Sequence, residues 1–447
     1  VGKGVLNVER PPCTPPAARA LLLADAGLTH RNGDLYSSDV RLADIADAAR
    51  TPVFVYNADV IGARYRALDD ALGVIPHRIC FAVKANSNLA VLRLFSELGA
   101  GADIVSGGEL LRALAAGFPA SRVVFSGVGK TDDELALAIE RGVGHIHLES
   151  AEELDALARI AATQRRRVAV GIRVNPDVTA ETHPFIATGH GGIKFGVPVD
   201  QVVGLAQAIS RDRWLTLDTI AMHVGSQLLS PEPYVQGIRQ LLALVADLKA
   251  AGIGGIGTLD IGGGLGVRYH DEKPLEPATL AGAIAPLVAD SDLVISLEPG
   301  RHLVAPAGVL LTEVVFRKHA GGRDVVIVDA GMNDLVRPSH YQAWHEIVEL
   351  HESGRVADVV DVVGPVCETG DFLALGRELP RVVRGERLAL LGAGAYGFAM
   401  SSNYNSRPRA AEVLVHGSAW EVVRTRETFD DLMRGETPVE GGRDDGA

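Results

Sequence analysis

The chain has 447 residues, 43 basic and 56 acidic side chains and a net charge of −13, a balance that argues against a general nucleic-acid binder. No apolar run approaches the ~20 residues of a membrane span. The length suits about three domains, a count that falls if one is a (β/α)8 barrel of about 250 residues.

In chain order, Val1–Pro16 has no apolar h-region and four prolines, and reads as a loose arm rather than a signal peptide. Residues 17 to 50 read as helix in pieces, with Ala and Leu at helical spacing. Thr51–Tyr56 is a short predicted strand and Asn57–Gly73 the helix after it. An alternation then sets in. Runs at Ile79–Lys84, Ala102–Ser106, Arg122–Ser126, His145–Glu149, Val168–Val174, Ile220–Gly225, Thr258–Gly262 and Leu293–Glu298 predict eight strands, with room for a helix between successive strands. Ser106-Gly-Gly-Glu109, Thr131-Asp-Asp-Glu134 and Ser150-Ala-Glu-Glu153 carry the capping-box signature of a helix start. Gly99, Gly117 and Gly142 fall where those helices should stop. This order predicts a parallel α/β fold, and eight units favour a closed (β/α)8 barrel over an open sheet.

Beyond residue 310 the pattern changes. Leu311–Phe316, Asp324–Asp329, Val356–Val363, Arg387–Leu391 and the hairpin Ala411–Val415 with Trp420–Arg424 predict a mostly-β domain, with a helix at Thr428–Arg434. The expected division is a barrel over residues 49–310, with residues 1–48 and 311–447 forming the β domain. Gly435–Ala447 reads as a disordered tail. The three cysteines, Cys13, Cys80 and Cys367, are far apart and lack metal-ligand spacing. No metal site is expected, and a reducing cytoplasm is the expected compartment.

In such a barrel the site lies at the C-terminal ends of the strands. Read together, those ends hold Lys84, Asp103 with Ser106, Ser126, Glu149, Arg173, His223, the Gly262–Gly264 run and Glu298. Lys84 closes an apolar run. Burial lowers a lysine pKa, and an unprotonated amine attacks carbonyls; otherwise it is a lysine that snorkels to solvent. Asp260-Ile-Gly262-Gly263-Gly264-Leu-Gly266 can close backbone N–H groups on a phosphate, or can be only a tight turn. His223 is followed by Gly225 and Ser226, although a lone strand histidine is more often a core residue. Glu298 ends a strand, with Arg301 near enough in sequence to be its ion-pair partner. An aldehyde cofactor with a phosphate and a protonatable ring nitrogen would use all four features, and pyridoxal 5'-phosphate is that cofactor.

The motifs carry a resemblance. Phe81-Ala-Val-Lys84-Ala-Asn86, Ala102-Asp-Ile-Val-Ser-Gly-Gly-Glu109, His223-Val-Gly-Ser-Gln227, Gly262-Gly-Gly-Leu-Gly266, Glu298-Pro-Gly-Arg301, Cys367-Glu368-Thr-Gly-Asp371 and Gly394-Ala-Tyr396 through Arg409 follow in order over roughly residues 35 to 430. The chain resembles the barrel-type pyridoxal-phosphate decarboxylases of basic amino acids, and among them the diaminopimelate decarboxylases. Gly189-His-Gly-Gly-Ile-Lys194 is a glycine-rich departure from the family's usual form.

The resemblance implies an alanine-racemase-like barrel and conversion of meso-2,6-diaminopimelate to L-lysine and carbon dioxide, the last step of lysine biosynthesis. Lys84 is similar to the lysine that bonds the cofactor's aldehyde, and His223 to the residue stacked on its ring. Ser226 and Gly263 with Gly262 and Gly264 resemble the phosphate cup, with Gly300 beside it, and Glu298 resembles the partner of the ring nitrogen. Arg301, Arg337 and Tyr341 resemble the binders of substrate carboxylates, and Tyr396 resembles a residue touching cofactor and substrate. Cys367 and Glu368 resemble residues that reach the site from the other subunit, which implies a homodimer with shared sites. Cys367 and Lys84 are both possible donors of the returning proton. The alternatives are another decarboxylase of this fold, for ornithine, arginine or carboxynorspermidine, and a cofactor-binding regulatory homologue without turnover.

Overall fold

The computed structural model describes residues 13–176 and 194–438. The segments expected as an N-terminal arm and a tail lie largely outside these residues, as do residues 189–193 of the glycine-rich segment. Eight parallel strands form a ring: β1 (His77–Ala82), β2 (Gly101–Ile104), β3 (Val123–Phe125), β4 (His145–Leu148), β5 (Val168–Asn175), β6 (Leu215–Ala221), β7 (Thr258–Asp260) and β8 (Val294–Leu297). Each pairs with the next, β8 pairs with β1, and the ring has no edge. The two-residue strand Val197–Pro198 adds to β5 outside it.

The cap chemistry sets the helix starts, with one refinement. Thr131 and Glu134 form a reciprocal capping box. Ser106 and Ser150 also accept the amides of Glu109 and Glu153. Those two glutamates, however, reach one residue further back, to the Val105 and Glu149 amides, both at 2.8 Å. They thereby pin the loop leaving each strand, which is where the site is built. Gly142 ends the Asp132–Arg141 helix at φ 73°, in the left-handed region that favours glycine.

Strand β1 stops two residues earlier than its apolar run. Lys84 rides a 3-10 turn, Val83–Ala85. The turn is held from the second sheet: the Tyr396 amide donates to Ala85 O at 2.9 Å, and Asn86 Nδ2 donates to Gly394 O at 3.1 Å.

That second sheet runs in the order Phe372–Pro380, Ala357–Val363, Arg323–Val328, Gly308–Ala320, Val53–Asn57, Ala411–His416, Ala419–Arg424. The strand expected at Thr51–Tyr56 sits inside it, antiparallel to Gly308–Ala320 and parallel to Ala411–His416, all five residues buried. An apolar run shows that a strand is buried, not which sheet buries it. Residues 17 to 50 are also corrected. Between the helices Pro16–Asp25 and Leu42–Ala49 lies a three-stranded antiparallel sheet, Leu28–Arg31, Asp34–Ser37 and Val40–Arg41. Its first turn is Asn32-Gly33 at φ 53° and 86°, the residue pair that a two-residue hairpin demands.

Glu412 bonds the sheet to the barrel. It is 1 % exposed and accepts from Tyr56 Oη at 2.7 Å and Asn88 Nδ2 at 2.9 Å, while Arg424 pairs with it. Asn88 caps the helix that follows the Lys84 turn. Glu412→Ala should lower stability by about 3 kcal/mol, since it strips a buried charge cluster of its acceptor. A urea midpoint within error of the wild type would show the cluster to be dispensable.

Candidate active site

A cavity of about 370 Å³ opens at the C-terminal mouth of the barrel. Of the sequence-predicted residues, Lys84, His223, Ser226, Gly263, Gly264, Glu298, Gly300, Arg301 and Tyr396 line it. They come from β1, β6, β7, β8 and the second sheet's loop, far apart in sequence.

Lys84 Nζ lies 2.6 Å from an oxygen of fully buried Asp103, and the Ser126 hydroxyl donates to the other oxygen. Desolvation by itself would lower the Lys84 pKa. The charges of Asp103, Glu298 and Tyr396 more than reverse it, and the ammonium is held above its ordinary value. The expectation of a lysine neutralised by burial therefore fails: an acid is waiting beside the amine.

His223 Nδ1 accepts the Gly263 amide at 3.2 Å. Burial, then Arg173 and Lys84, push its pKa down to about 3, so the imidazole is neutral. The glycines beside it are steric necessities. A Cβ on Gly263 would sit 2.2 Å from Glu298 O, and one on Gly264 2.3 Å from Gly225 O. Gly262 turns away from the cavity and donates its amide to Asp260 Oδ1 at 2.8 Å.

Glu298 faces the cavity, yet its Oε1 is buried with no hydrogen-bond partner among the described residues. Burial, then Asp103 and Asp260, raise its pKa well above the usual carboxylate range. Arg301 is not its partner. That guanidinium donates to Tyr269 Oη at 2.9 Å and Ser226 Oγ at 3.1 Å. Arg337, 5 % exposed, donates to His345 Nε2 at 2.9 Å. Both guanidiniums lie over the Tyr269 ring, at 5.9 Å for Arg301 and 4.5 Å for Arg337. Among the described residues neither has a carboxylate within ion-pair distance.

Arg337, Tyr341, Cys367, Glu368 and Gly262 do not line the cavity. Cys367 and Glu368 are exposed in the loop after Ala357–Val363, where the Cys367 amide donates to Asn405 Oδ1 at 2.6 Å. Tyr269 escaped sequence reasoning, since nothing in its loop marks it. Ser126 and Arg173 line the cavity and were visible only as polar strand ends. Arg173 pairs with Glu149 at 2.8 Å and lies 4.8 Å over the Phe195 ring.

Residues 58–305 match the model of the pyridoxal-dependent decarboxylase family, pyridoxal binding domain. A diaminopimelate decarboxylase of Pseudomonas aeruginosa is 49 % identical over 410 residues, covering 92 % of this chain and 98 % of that one. The chain belongs to the diaminopimelate decarboxylase family. The crystal structure of the Helicobacter pylori family member complexed with L-lysine is 37 % identical at a TM-score of 0.85, covering 88 % of this chain and 98 % of that one. The M. jannaschii member in co-complex with L-lysine is 33 % identical at 0.87, covering 92 % and 98 %.

The family's cofactor is pyridoxal phosphate, and the residues present fit it. Gly263 and Gly264 present backbone alone to the cavity, since a Cβ on either would meet a neighbouring loop's carbonyl. The orphaned Glu298 Oε1 awaits a polar partner, and Lys84 lines the same cavity.

Glu109, whose carboxylate holds the Val105 amide, has its pKa pushed up from 4.5 to about 7 by burial. A carboxyl raised on folding contributes stability that is full below pH 4.5 and lost as the pH rises through about 7. Glu109→Gln should therefore flatten the decline of Tm across that window. An unchanged slope would place the titration elsewhere.

Proposed function

We propose that this chain decarboxylates meso-2,6-diaminopimelate to L-lysine and carbon dioxide, using pyridoxal phosphate. The observation that carries this reading is Arg301, which lines the cavity and, like buried Arg337 on the other side of Tyr269, has no carboxylate within ion-pair distance among the described residues. Diaminopimelate has a carboxylate at its distal end, and a planar guanidinium suits it. Ornithine and lysine lack that group, and a decarboxylase for them would gain nothing from buried arginines there.

When bound, pyridoxal phosphate supplies an aldehyde that bonds amines and a protonated ring that takes up the electron pair left by a departing carboxylate. The chain's residues do the rest. Asp103, in contact with Nζ, takes the proton that Lys84 must lose to bond the cofactor. Gly263, Gly264, Gly300 and Ser226, which line the cavity, would hold the phosphate, with Gly262 turning the loop behind them. Neutral His223 packs against the ring without competing for its positive charge. Glu298 holds the proton at the ring nitrogen. Arg301, Arg337 and Tyr341 bind the substrate's carboxylates, and Tyr396 contacts both cofactor and substrate. After carbon dioxide leaves, the α-carbon takes a proton from Cys367 or Lys84.

Cys367 and Glu368 reach the site from a second copy of the chain in this reading, which makes the enzyme a homodimer with shared sites. Their exposure outside their own chain's cavity supports it. Three unpaired cysteines suit a cytoplasmic enzyme. No described helix is long and apolar enough to cross a membrane.

Carbon dioxide release from separate diaminopimelate stereoisomers tests the substrate. Release from the meso form should exceed that from ornithine, arginine or lysine by on the order of 10²-fold or more, the scale of losing a buried charged contact. Faster release from ornithine would move the chain to another branch of the fold.

Subunit mixing tests the dimer. Lys84→Ala and Cys367→Ala homodimers should each be severely impaired. In a mixed dimer one site takes both lesions and the other none. With exchange complete and half the dimers mixed, about a quarter of the sites should be intact. Proven exchange without recovered activity would mean that each site is built within one chain.

A further inference from the structure

Barrel interiors are usually filled by layers of branched apolar side chains. Beneath this cavity the layer is charged. His147, on β4, reaches across the ring toward Asp260, at the end of β7, and Glu298, just past β8. The ligand-type atoms of these three lie within 4.8 Å of one another. His147 and Asp260 are each 1 % exposed. Asp260 Oδ1 accepts the Gly262 amide. The Ser296 hydroxyl lies beside Asp260 but outside hydrogen-bonding geometry.

The charges around the pair do not balance. Asp103 is matched by Lys84 and Arg173 by Glu149. His147 is neutral, since burial, then His145, Lys130 and Arg173, depress its pKa well below the ordinary value. The other titratable neighbours are Cys80, inert with its pKa pushed far up by burial, and His145, bonded to Asp218. Asp260 and Glu298 have no ion-pair partner of their own among the described residues, and Lys84 and Arg173, each already paired, act on Glu298 only from further off. Two carboxylates this close in a dry site cannot both ionise. Burial, with the Asp103 charge, raises the Asp260 pKa to about 6.

We propose that Asp260 and Glu298 share one proton, with His147 as their neutral third neighbour, and that the pair hands this proton to the cofactor's ring nitrogen on binding. The Glu298 O–H bond breaks and an N–H bond forms at the ring. Two carboxylates remain facing one cation, and no electron is gained or lost. Asp260 thus acts as a positioning residue: it touches no substrate and sets the charge beneath Glu298. The proposal rests on the assignment of Glu298 to the ring nitrogen.

Two measurements on the full chain test it. The first is infrared difference spectroscopy of the cofactor-free and loaded wild type, with ¹³C-carboxyl glutamate or aspartate. A protonated-carboxyl band that responds to the labels should be present without cofactor and vanish on loading. Its absence in the cofactor-free wild type would overturn the proposal without any substitution. The second is the ¹⁵N shift of ring-labelled cofactor against pH. Asp260→Asn should lower the pH of ring deprotonation by about one unit or more, the effect of a lost nearby charge. Glu298→Gln should leave the ring unprotonated at neutral pH. A ring still protonated in Glu298→Gln overturns the assignment of Glu298 itself. A normal titration in Asp260→Asn, with the ring unprotonated in Glu298→Gln, overturns the shared proton alone.

Discussion

The contact between Lys84 and Asp103 is the constraint around which the mouth of the barrel is organised. The Lys84 ammonium opens on the cavity while the carboxylate it meets is wholly out of solvent, and a buried carboxylate is tolerable only beside a cation. Asp103 is wholly buried, and its second oxygen is occupied by Ser126. Its orientation is therefore set by β2 and β3 together. The same carboxylate raises the pKa values of Glu298 and Asp260. Burial is the larger cause of both shifts, and Asp103 adds to it.

Holding the lysine is a task for both sheets. Its turn is too short to be stable alone, with one 3-10 step after the strand. Hydrogen bonds from the Gly394–Tyr396 loop fasten it, and Glu412 ties the helix after it to the central strands of the second sheet. The second sheet is therefore not an appendage. Tyr396 enters the cavity on the same loop that clamps the lysine, so two of the cavity's lining side chains share one support.

The glycine run and the arginine pair show two ways of leaving room. At Gly263 and Gly264 the backbone of one loop lies against the carbonyls of two others, and any side chain would part them. At Tyr269 the opposite holds: a large ring fills the space between two guanidiniums and its hydroxyl satisfies one of them. Among the described residues neither guanidinium has a carboxylate within ion-pair distance, and Arg301 brings its charge to the cavity wall.

The sequence by itself determined the barrel, because its eight strand runs recur in order and three helix starts and three helix stops between them are local signals. Polar strand ends pointed to Lys84, Ser126, Arg173, His223 and Glu298 in the cavity wall, while Gly300 and Tyr396 were legible only through the motifs of the resemblance. The helix and strand boundaries near Lys84, the small sheet at Leu28–Arg41 and the sheet membership of Val53–Asn57 were decided by tertiary partners. So were Tyr269, set between arginines 32 and 68 residues away in sequence, and the meeting of His147, Asp260 and Glu298. Periodicity reports which face of an element is buried. It carries no information on which distant groups share the space inside a closed ring, and the charge of a buried acid depends on those neighbours as well as on burial.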